Sequence, residues 1–401
     1  MGQGSRLQIT NVTALTWSLS KLDQFQMELK TFPATIGPFS TCTVYVEFLE
    51  PLLTPGVRGH FVATYQCAAP AAAGSFDVRG RWNFDDDDDE PRMLWIDTRG
   101  GGAWLTTPPR KADTGIVALP WLHDGVVPFA LAQQPAVGVE PAPSSPWRAH
   151  WMHLTAPLIG KLTPASLCWP GCHNAGTCKM ERAVSGPWAR CQSETIRGLL
   201  DAGARCLDLR VGVTSAGVLQ LVHGGWFTTT SLASAVAQVR DFCAANTHEL
   251  VIVDLHQCER VDGRRVEHAF ALAAIEEQLG DLLIPAADHA LPLSDLWTKR
   301  GRVLLVGPVP RLWREANVTA DQLEYFFNTT EPPGGRFWAT MVALAAQVTR
   351  AVPHMTDEVN RWFAPCSKLL AKAYIVHVDF IEETVLVDNC ISESLRRAVV
   401  A

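Results

Sequence analysis

Three short stretches of this 401-residue chain hold residue types that can exchange protons and bind anions. Each stretch is a short apolar run that ends in polar side chains and is followed by glycine or a loop residue. Their polar members are His173, Asp208, Arg210 and His223. Two imidazoles, a carboxylate and a guanidinium suit attack at a phosphate, because one group takes a proton, one gives a proton and a fixed cation stabilises the charge on phosphorus.

A parallel barrel would bring these groups together, because residues at the carboxyl ends of its strands all face one mouth. After residue 146 the sequence alternates predicted helices with near-continuous apolar strands. The predicted helices cover residues 193–200, 231–245 and 265–279, and the strands cover 205–211, 250–255 and 303–306. This alternation predicts a parallel sheet covered by helices, for which a TIM-type (β/α) barrel over residues 147–401 is the simplest closure.

The first part of the chain has a different pattern. Residues 1–132 contain short β-rich runs with period-two alternation, separated by glycine and proline turns, which predicts an antiparallel β-sandwich-like domain. Residues 133–146 contain four prolines among small residues and are the predicted linker. The acidic run at residues 85–90 is expected to be a solvated loop, with calcium binding as the alternative.

The amino-acid composition indicates which binding partners and which cellular location to expect. A hydrophobic content of 47% with 19% charged residues is typical of a globular protein, and a formal net charge of −7 argues against a nucleic acid partner. No apolar run approaches the roughly 18 residues that span a bilayer, and no secretion signal is evident at the start, so we expect a cytoplasmic protein with peripheral membrane contact. The eleven cysteines lack metal-ligand spacing, and we expect neither a metal nor a cofactor.

Several segments together resemble a known family. They are Pro170-Gly-Cys-His173, the run from Leu200 to Arg210, Val222-His-Gly224, the strand ending at Asp254, and Ile375-Val-His-Val-Asp379-Phe-Ile381. In this order they resemble the X-domain of phosphatidylinositol-specific phospholipases C. The resemblance is strongest to the small bacterial enzymes and to eukaryotic proteins that carry an X-domain without calcium-binding accessory domains.

The resemblance implies a role for each residue. His173 would be the general base that deprotonates the inositol hydroxyl next to the phosphate, and Asp379 would hold its other ring nitrogen. Arg210 would donate to the non-bridging phosphate oxygens. Asp208 would either orient Arg210 or take part in the hydrogen-bond network of the general acid. His223 would protonate the leaving diacylglycerol oxygen. The implied products are diacylglycerol and a cyclic inositol phosphate.

Two departures from the family pattern affect these expectations. The bacterial enzymes have aspartate where this chain has Asn174, so the pKa of His223 should be lower here than beside a carboxylate. The large eukaryotic enzymes use asparagine at this position as a calcium ligand, together with acidic residues on the next strand. One of those acidic positions is Arg210 here, which predicts a calcium-independent enzyme.

The residues that bind the substrate are less defined. Asn174 lies in the substrate region, and His256 occupies a strand end where the family has glutamate or lysine; His256 either reaches a ring hydroxyl or is a loop histidine. Trp226 and Phe227 follow His223, and we expect them at a membrane-facing rim, with packing under the neighbouring helix as the alternative. Residues 307–337 are expected to supply further contacts.

The substrate could be phosphatidylinositol, a glycosylated form of it, or another phosphodiester. Two other functions compete with the phosphodiesterase. One is a pseudoenzyme that binds phosphoinositides, which Asn174 favours. The other is a metal-dependent glycerophosphodiesterase. That enzyme needs a cluster of acidic metal ligands, and the candidates here are only Asp208 and Asp254.

Overall fold

A computed structural model divides the chain into two compact units, Met1–Ser144 and Ser145–Ala401. It describes residues 4–11, 13, 15–30, 32–38, 40–48, 58–67, 74–83, 92–100, 104–107, 115–119, 121, 126–133, 147–178, 189–261, 263–307, 311–315, 339–343, 359–360, 362–363 and 368–400. The predicted linker at 133–146, apart from its first residue, and the acidic run at 85–90 with its calcium alternative lie outside the described residues. The domain boundaries at 132 and 147 stay predictions.

The described part of the first unit is built from strands in two sheets. The strands are β1 (Ser5–Asn11), β2 (Trp17–Phe25), β3 (Met27–Lys30), β4 (Thr35–Ile36), β5 (Ser40–Phe48), β6 (Arg58–Cys67), β7 (Gly74–Asn83), β8 (Met93–Asp97), β9 (Trp104–Thr107), β10 (Ile116–Leu119) and β11 (Val126–Gln133). One sheet has the order β3-β5-β1-β11-β9, and the other has the order β10-β8-β7-β6-β2-β4.

Alternating side chains from both sheets form one hydrophobic core in this unit. Along β6, Phe61, Ala63 and Tyr65 are buried while the residues between them are partly exposed, which is the period-two pattern of a sheet with one inner face. The prediction that the strands are all antiparallel is wrong in one respect, because β1 pairs in parallel with β11. The chain between these two strands is long enough to allow a parallel pairing.

The second unit is mixed α/β. Its strands are β12 (Trp169–Cys172), β13 (Cys206–Val213), β14 (Leu219–His223), β15 (Trp226–Ser231), β16 (Val251–Cys258), β17 (Val303–Val306), β18 (Arg311–Glu315), β19 (Ala339–Ala343) and β20 (Ile375–Val378). Its helices are α1 (Trp151–Ile159), α2 (Ile196–Asp201), α3 (Leu232–Ala245), α4 (His268–Leu279), α5 (Leu293–Thr298), α6 (Lys368–Lys372) and α7 (Leu386–Val400).

Parallel pairing runs through the sheet of the second unit in the order β17-β16-β13-β12-β20-β19-β18. The inner strands β12 and β20 are buried at every residue, as expected for a sheet covered on both faces. Gly171 on β12 lies opposite His377 on β20, and a Cβ at Gly171 would come within 2.1 Å of the His377 ring. Only glycine therefore allows this close packing of the two strands.

A three-stranded antiparallel extension grows from one parallel strand. The far end of β13 pairs antiparallel with β14, and β14 pairs antiparallel with β15 through a two-residue turn. The turn residues Gly224 and Gly225 have φ angles of +57° and +85°, the left-handed conformation that this tight turn requires. His223 was expected on a parallel strand, and that expectation is wrong, because an apolar run that ends in histidine has the same sequence pattern in either direction.

Two predicted helix starts also differ from the structure. The helix expected from Ser193 begins at Ile196, because Thr195 accepts a hydrogen bond at Oγ1 from the Gly198 amide and so caps it. The helix expected from residue 265 begins at His268.

A buried ion pair anchors α1 at the amino-terminal end of the sheet. Arg205 and Glu249 have no exposed side-chain surface, and Nη2 of Arg205 lies 2.7 Å from Oε2 of Glu249. Glu249 also accepts hydrogen bonds from the amides of Met152 and His153 in the first turn of α1. A carboxylate suits this position, because the amino-terminal amides of a helix lack partners within the helix. Among the described helices, none is long and apolar enough to cross a membrane.

Candidate active site

The pairing of β12 with β20 brings His173 and Asp379 together. Cys172 is the register partner of Val378, so the next residue on each strand emerges at the same end of the sheet. The amide of His173 donates to the carbonyl of Val378 at 3.0 Å, and Nδ1 of His173 donates to Oδ1 of Asp379 at 2.7 Å. Both side chains are buried. The carboxylate thus fixes the orientation of the imidazole through Nδ1.

The other ring nitrogen of His173 accepts a hydrogen bond. Nη2 of Arg210 lies 2.8 Å from Nε2 of His173, and a guanidinium can only donate. Nε2 therefore carries the lone pair, and His173 is the neutral tautomer with its proton on Nδ1. This is the protonation state that a general base at Nε2 requires.

Asp208 lies beneath this pair on β13. Its Oδ2 is 3.5 Å from Nη2 of Arg210 and accepts a hydrogen bond from the backbone amide of Asn174 at 3.1 Å. Asp208 is the register partner of Asp254 on β16, and both are fully buried. The predicted cluster of His173, Asp208, Arg210 and Asp379 is therefore assembled in the structure.

His223 completes the group from the antiparallel extension. Its ring centroid lies 6.0 Å from that of His173, with the two planes at 87°. Nδ1 of His223 donates to the carbonyl of Ala189 at 2.6 Å, which leaves Nε2 as the nitrogen available to a ligand. Burial lowers the pKa of His223 from 6.5 to about 4; His173 and Arg210 lower it too, while the Ala189 carbonyl and Asp379 raise it.

Asn174 occupies the position where the bacterial family members have an aspartate, and in this structure Nδ1 of His223 is held by the Ala189 carbonyl. Asn174 has a φ of +47°, a conformation that asparagine tolerates better than most residues. It contacts Asp208 through its backbone amide. Among the described residues, the buried Nδ2 of Asn174 has no hydrogen-bond partner, and neither does the buried Nε of Arg210. Two buried donors without partners, on residues of one site, are suited to an oxygen-rich ligand.

The sequence reasoning missed two residues at this site, Cys191 and Gln192. Gln192 donates from Nε2 to the carbonyls of His173 at 2.8 Å and Val378 at 2.9 Å, so it holds the two strand ends together. The Sγ of Cys191 lies 3.7 Å from Nδ1 of His223. Both residues lie in a loop without periodicity, and the sequence carries no signal that would have selected them.

Cys191 also belongs to a set of potential metal ligands. Within the described residues, His173, Cys191 and Asp379 form the one group of three or more such side chains whose ligand atoms lie within 4.8 Å of one another. The two cysteines that flank His173 in sequence are different, because Cys172 is buried and Cys178 is half-buried, and neither belongs to this set. Burial raises the pKa of the Cys191 thiol well above its usual range, and the Asp379 carboxylate adds to that rise.

Two predicted substrate-binding residues lie near the group. The register between β13 and β16 shifts so that His256 has no opposite residue on β13, and such a bulge re-aims a side chain. His256 is half-buried. Trp226 is the cross-strand partner of His223, so the two side chains project from the same face, and Trp226 is 44% exposed. Phe227 is half-buried, so the alternative that it packs against the protein agrees with the structure for Phe227 but not for the exposed Trp226. Most of residues 307–337 lie outside the described residues.

Comparisons with known proteins agree with the resemblance described from the motifs. Residues 168–307 match the family described as phosphatidylinositol-specific phospholipase C, X domain. The chain is 27% identical over 202 residues to the variant-surface-glycoprotein phospholipase C of Trypanosoma brucei brucei, covering 42% of this chain and 54% of that protein. It is 24% identical over 204 residues to the human PI-PLC X domain-containing protein 1, covering 46% and 61%. The chain therefore spans about half the length of the curated relatives it matches.

One of the solved structures compared shows a likeness of fold. A double mutant of the phosphatidylinositol-specific phospholipase C from Staphylococcus aureus has a TM-score of 0.50 and 11% identity, with 62% of this chain and 97% of that chain covered. The phosphatidylinositol-specific phospholipase C from Listeria monocytogenes has a TM-score of 0.47 and 16% identity, with 61% and 98% covered. The match to the family model and the curated relatives confirm the resemblance to the X-domain family.

Proposed function

We propose that this chain, whose second unit contains a region of the X-domain family, cleaves phosphatidylinositol-type lipids to diacylglycerol and a cyclic inositol phosphate. The observation that carries the proposal is the arrangement at His173. The carboxylate of Asp379 accepts a hydrogen bond from Nδ1 of His173, and Nε2 keeps the lone pair. Nη2 of Arg210 donates to that lone pair, and the buried Nε of the same guanidinium has no hydrogen-bond partner among the described residues. This combination provides a base directly beside a binding group for a phosphate.

The first step is removal of a proton from the inositol hydroxyl. In the free protein, Nη2 of Arg210 covers the lone pair of His173. An incoming phosphate attracts the guanidinium, because charge-assisted hydrogen bonds to phosphate oxygens are stronger than a bond to a neutral imidazole. The lone pair at Nε2 then accepts the hydroxyl proton, and Asp379 stabilises the imidazolium that forms. The inositol oxygen attacks phosphorus while Arg210 stabilises the developing charge.

The second step is protonation of the leaving diacylglycerol oxygen by His223. Because Nδ1 is held by the Ala189 carbonyl, the proton is donated from Nε2. A pKa of about 4 leaves His223 neutral in the free protein at neutral pH. The phosphate of the substrate brings a negative charge close to the ring, which raises the pKa and favours the imidazolium. Substrate binding therefore prepares the acid.

The proposed reaction does not use calcium. Arg210 places a permanent cation next to Asp208, where a calcium ion would need a second carboxylate. The same cation performs the charge stabilisation that a metal would otherwise supply.

We further propose that the exposed aromatic side chains near the site meet the lipid surface. Trp226 is 44% exposed and Phe270, in the first turn of α4, is 61% exposed. The amide of Gly225 donates to Glu259 just beyond β16, and Nε2 of His268 donates to the carbonyl of Leu255 within β16. These bonds tie both aromatic residues to the end of the sheet that carries His173. Tryptophan suits a membrane interface, because its ring is apolar and its N–H can stay hydrated.

The finer architecture is part of the same proposal. A TIM-type barrel over residues 147–401 would place His173, Arg210 and Asp379 at one mouth, and a β-sandwich-like domain would precede it. The parallel order from β17 to β18 supports this barrel.

A phosphoinositide-binding pseudoenzyme is the second candidate. The lowered pKa of His223 favours it, because an acid that stays neutral even with substrate bound could not protonate the leaving group.

One experiment separates the two functions. Purified protein is incubated with phosphatidylinositol vesicles in the presence of a calcium chelator, and the water-soluble product is examined by phosphorus NMR. A cyclic phosphate resonance supports the phosphodiesterase. Vesicle binding without any soluble product supports the pseudoenzyme, and activity that requires added calcium contradicts the proposed role of Arg210.

A further inference from the structure

We propose that His173, Cys191 and Asp379 form a zinc-binding site, and that Zn²⁺ bound there inhibits the reaction. The inhibitory effect rests on the proposed function, whereas the binding site itself does not. The ion is an inhibitor and not a cofactor in this proposal, because it coordinates His173, the proposed general base.

The donor atoms are those that zinc prefers. An imidazole nitrogen, a thiolate and a carboxylate oxygen bind zinc at about 2.0–2.3 Å, whereas calcium and magnesium prefer sites made of oxygen alone. The three ligand atoms lie within 4.8 Å of one another, and all three residues are buried. Ligand atoms of a tetrahedral zinc ion are about 3.5 Å apart. Nδ1 of His173 and Oδ1 of Asp379, which are 2.7 Å apart, therefore separate slightly when the ion replaces their hydrogen bond, and ligand atoms that lie up to 4.8 Å apart move closer.

The backbone holds Cys191 in place for this purpose. The amide of Cys191 donates to Oγ1 of Thr177 at 2.9 Å, and its carbonyl accepts from the amide of Phe380 at 2.7 Å. Phe380 directly follows Asp379 and has a φ of +49°, so this bond ties the thiol segment to the carboxylate segment through a strained residue. The ligands are thus positioned by the fold before any ion arrives, which reduces the entropic cost of binding.

The charges are compatible with a divalent cation. Asp379 and the Cys191 thiolate together carry two negative charges, which offset Zn²⁺ despite the nearby guanidinium of Arg210. The thiol is protonated in the free protein, because burial raises its pKa well above the usual range. Zinc displaces that proton, as it does from other cysteine ligands, and the proton goes to solvent.

The protons of His173 account for the inhibition. In the free protein, the imidazole proton is on Nδ1 and the lone pair is on Nε2. When zinc takes Nδ1, the same proton moves to Nε2, and the guanidinium of Arg210 gives up its hydrogen bond to that nitrogen. The ring then has no lone pair left to accept the hydroxyl proton. A fourth coordination position remains for water.

Cobalt spectroscopy tests the site without any need for turnover. Purified protein, first treated with a chelator and then exchanged into chelator-free buffer, is titrated with Co²⁺, which reports a thiolate ligand by a near-ultraviolet charge-transfer band. We expect the band in the wild type, its displacement by Zn²⁺, and its loss in Cys191→Ser. The affinity of Cys191→Ser for Co²⁺ should fall by at least about 10-fold to 100-fold, which is the loss typical of removing even an outer-shell partner of a metal ligand. Cys258→Ser is the matched control, because this half-buried thiol lies outside the ligand group, and it should keep the band.

Activity is then measured separately. We expect saturating Zn²⁺ to reduce cleavage of phosphatidylinositol by the wild type at least about tenfold, since loss of a general base costs that much or more. A missing cobalt band, or a band that persists in Cys191→Ser, overturns the site even if the protein cleaves lipid. A Cys191-dependent band in a protein that cleaves no phosphodiester upholds the site and overturns the proposed function. Undiminished turnover with the site filled overturns the inhibition.

Discussion

Acidification should destabilise the folded protein through the titration of His223. The folded-state pKa of this residue is about 4, against an ordinary value of 6.5, with burial as the largest cause. Between these values the unfolded chain binds more protons than the folded protein, so the free energy of unfolding falls as pH falls. The stability that His223 contributes is fully present above the unfolded value and is lost progressively down to the folded value.

The size of the effect follows from the two pKa values. A shift of 6.5 to about 4 corresponds to a total of about 3 kcal/mol. Between about pH 7 and about pH 5, His223 alone should remove about 2 kcal/mol from the free energy of unfolding. Other groups also contribute to the pH dependence of stability: burial lowers the pKa of His150 and His248 and raises that of Asp388 to about 6. Because these groups are unchanged in His223→Gln, the difference between wild type and variant isolates His223.

Two measurements check this prediction. NMR titration of the histidine ring protons, with His223 assigned from the missing signal of His223→Gln, should give a pKa of about 4. Urea unfolding of both proteins at the two pH values should show a wild-type loss that exceeds the variant's loss by about 2 kcal/mol. A ring that titrates near its ordinary value, or equal losses in the two proteins, would refute the described burial and electrostatics of this site.

Three further predictions concern other parts of the molecule. Glu249→Gln should lower the free energy of unfolding, measured in urea, by about 3–5 kcal/mol, because it leaves the buried guanidinium of Arg205 without its charge partner. Asp201→Asn breaks the more exposed pair with Arg197 and should lower it by less than about 1 kcal/mol. Equal losses in the two variants would contradict this prediction. Asn174→Asp should extend lipid cleavage to higher pH by stabilising a protonated His223, and an unchanged pH profile would show that the two residues are not coupled. Trp226→Ala should weaken vesicle binding and turnover on bilayers but leave cleavage of a soluble short-chain substrate unchanged. Phe25→Ala, which removes a similarly exposed aromatic side chain of the first unit, should change neither vesicle binding nor turnover. Equal loss of activity on bilayers and on the soluble substrate in Trp226→Ala would assign Trp226 to the substrate-binding site.

The core of the candidate site could be predicted from the sequence because strand direction and position decide it. His173 and Asp379 each follow an apolar strand, and parallel pairing of β12 with β20 is sufficient to bring them together. Asp208 and Arg210 lie on the next strand, which pairs with β12. The alternation of helix and strand was equally readable, since buried parallel strands have a distinct apolar pattern.

The rest depended on contacts between distant parts of the chain. The position of His223 depends on the antiparallel pairing of β14 with β13, and the five-residue sequence of β14 does not indicate the direction of that pairing. Gln192 reaches the carbonyl of Val378, which is 186 residues away in sequence, and Cys191 joins the site through the same loop. The parallel pairing of β1 with β11 likewise joins the two ends of the first unit. Local patterns contain no information about such pairings.

The division of roles between the two histidines is tested most directly by changing the leaving group. An inositol phosphodiester with a nitrophenol leaving group needs no proton as its bond breaks, whereas phosphatidylinositol does. We predict that His223→Ala loses about 10²–10⁴ in rate on phosphatidylinositol but far less on the nitrophenyl ester, and that His173→Ala loses activity on both. Equal loss on both substrates in His223→Ala, or more than about a tenth of wild-type turnover remaining in His173→Ala, would contradict the assignment of acid and base.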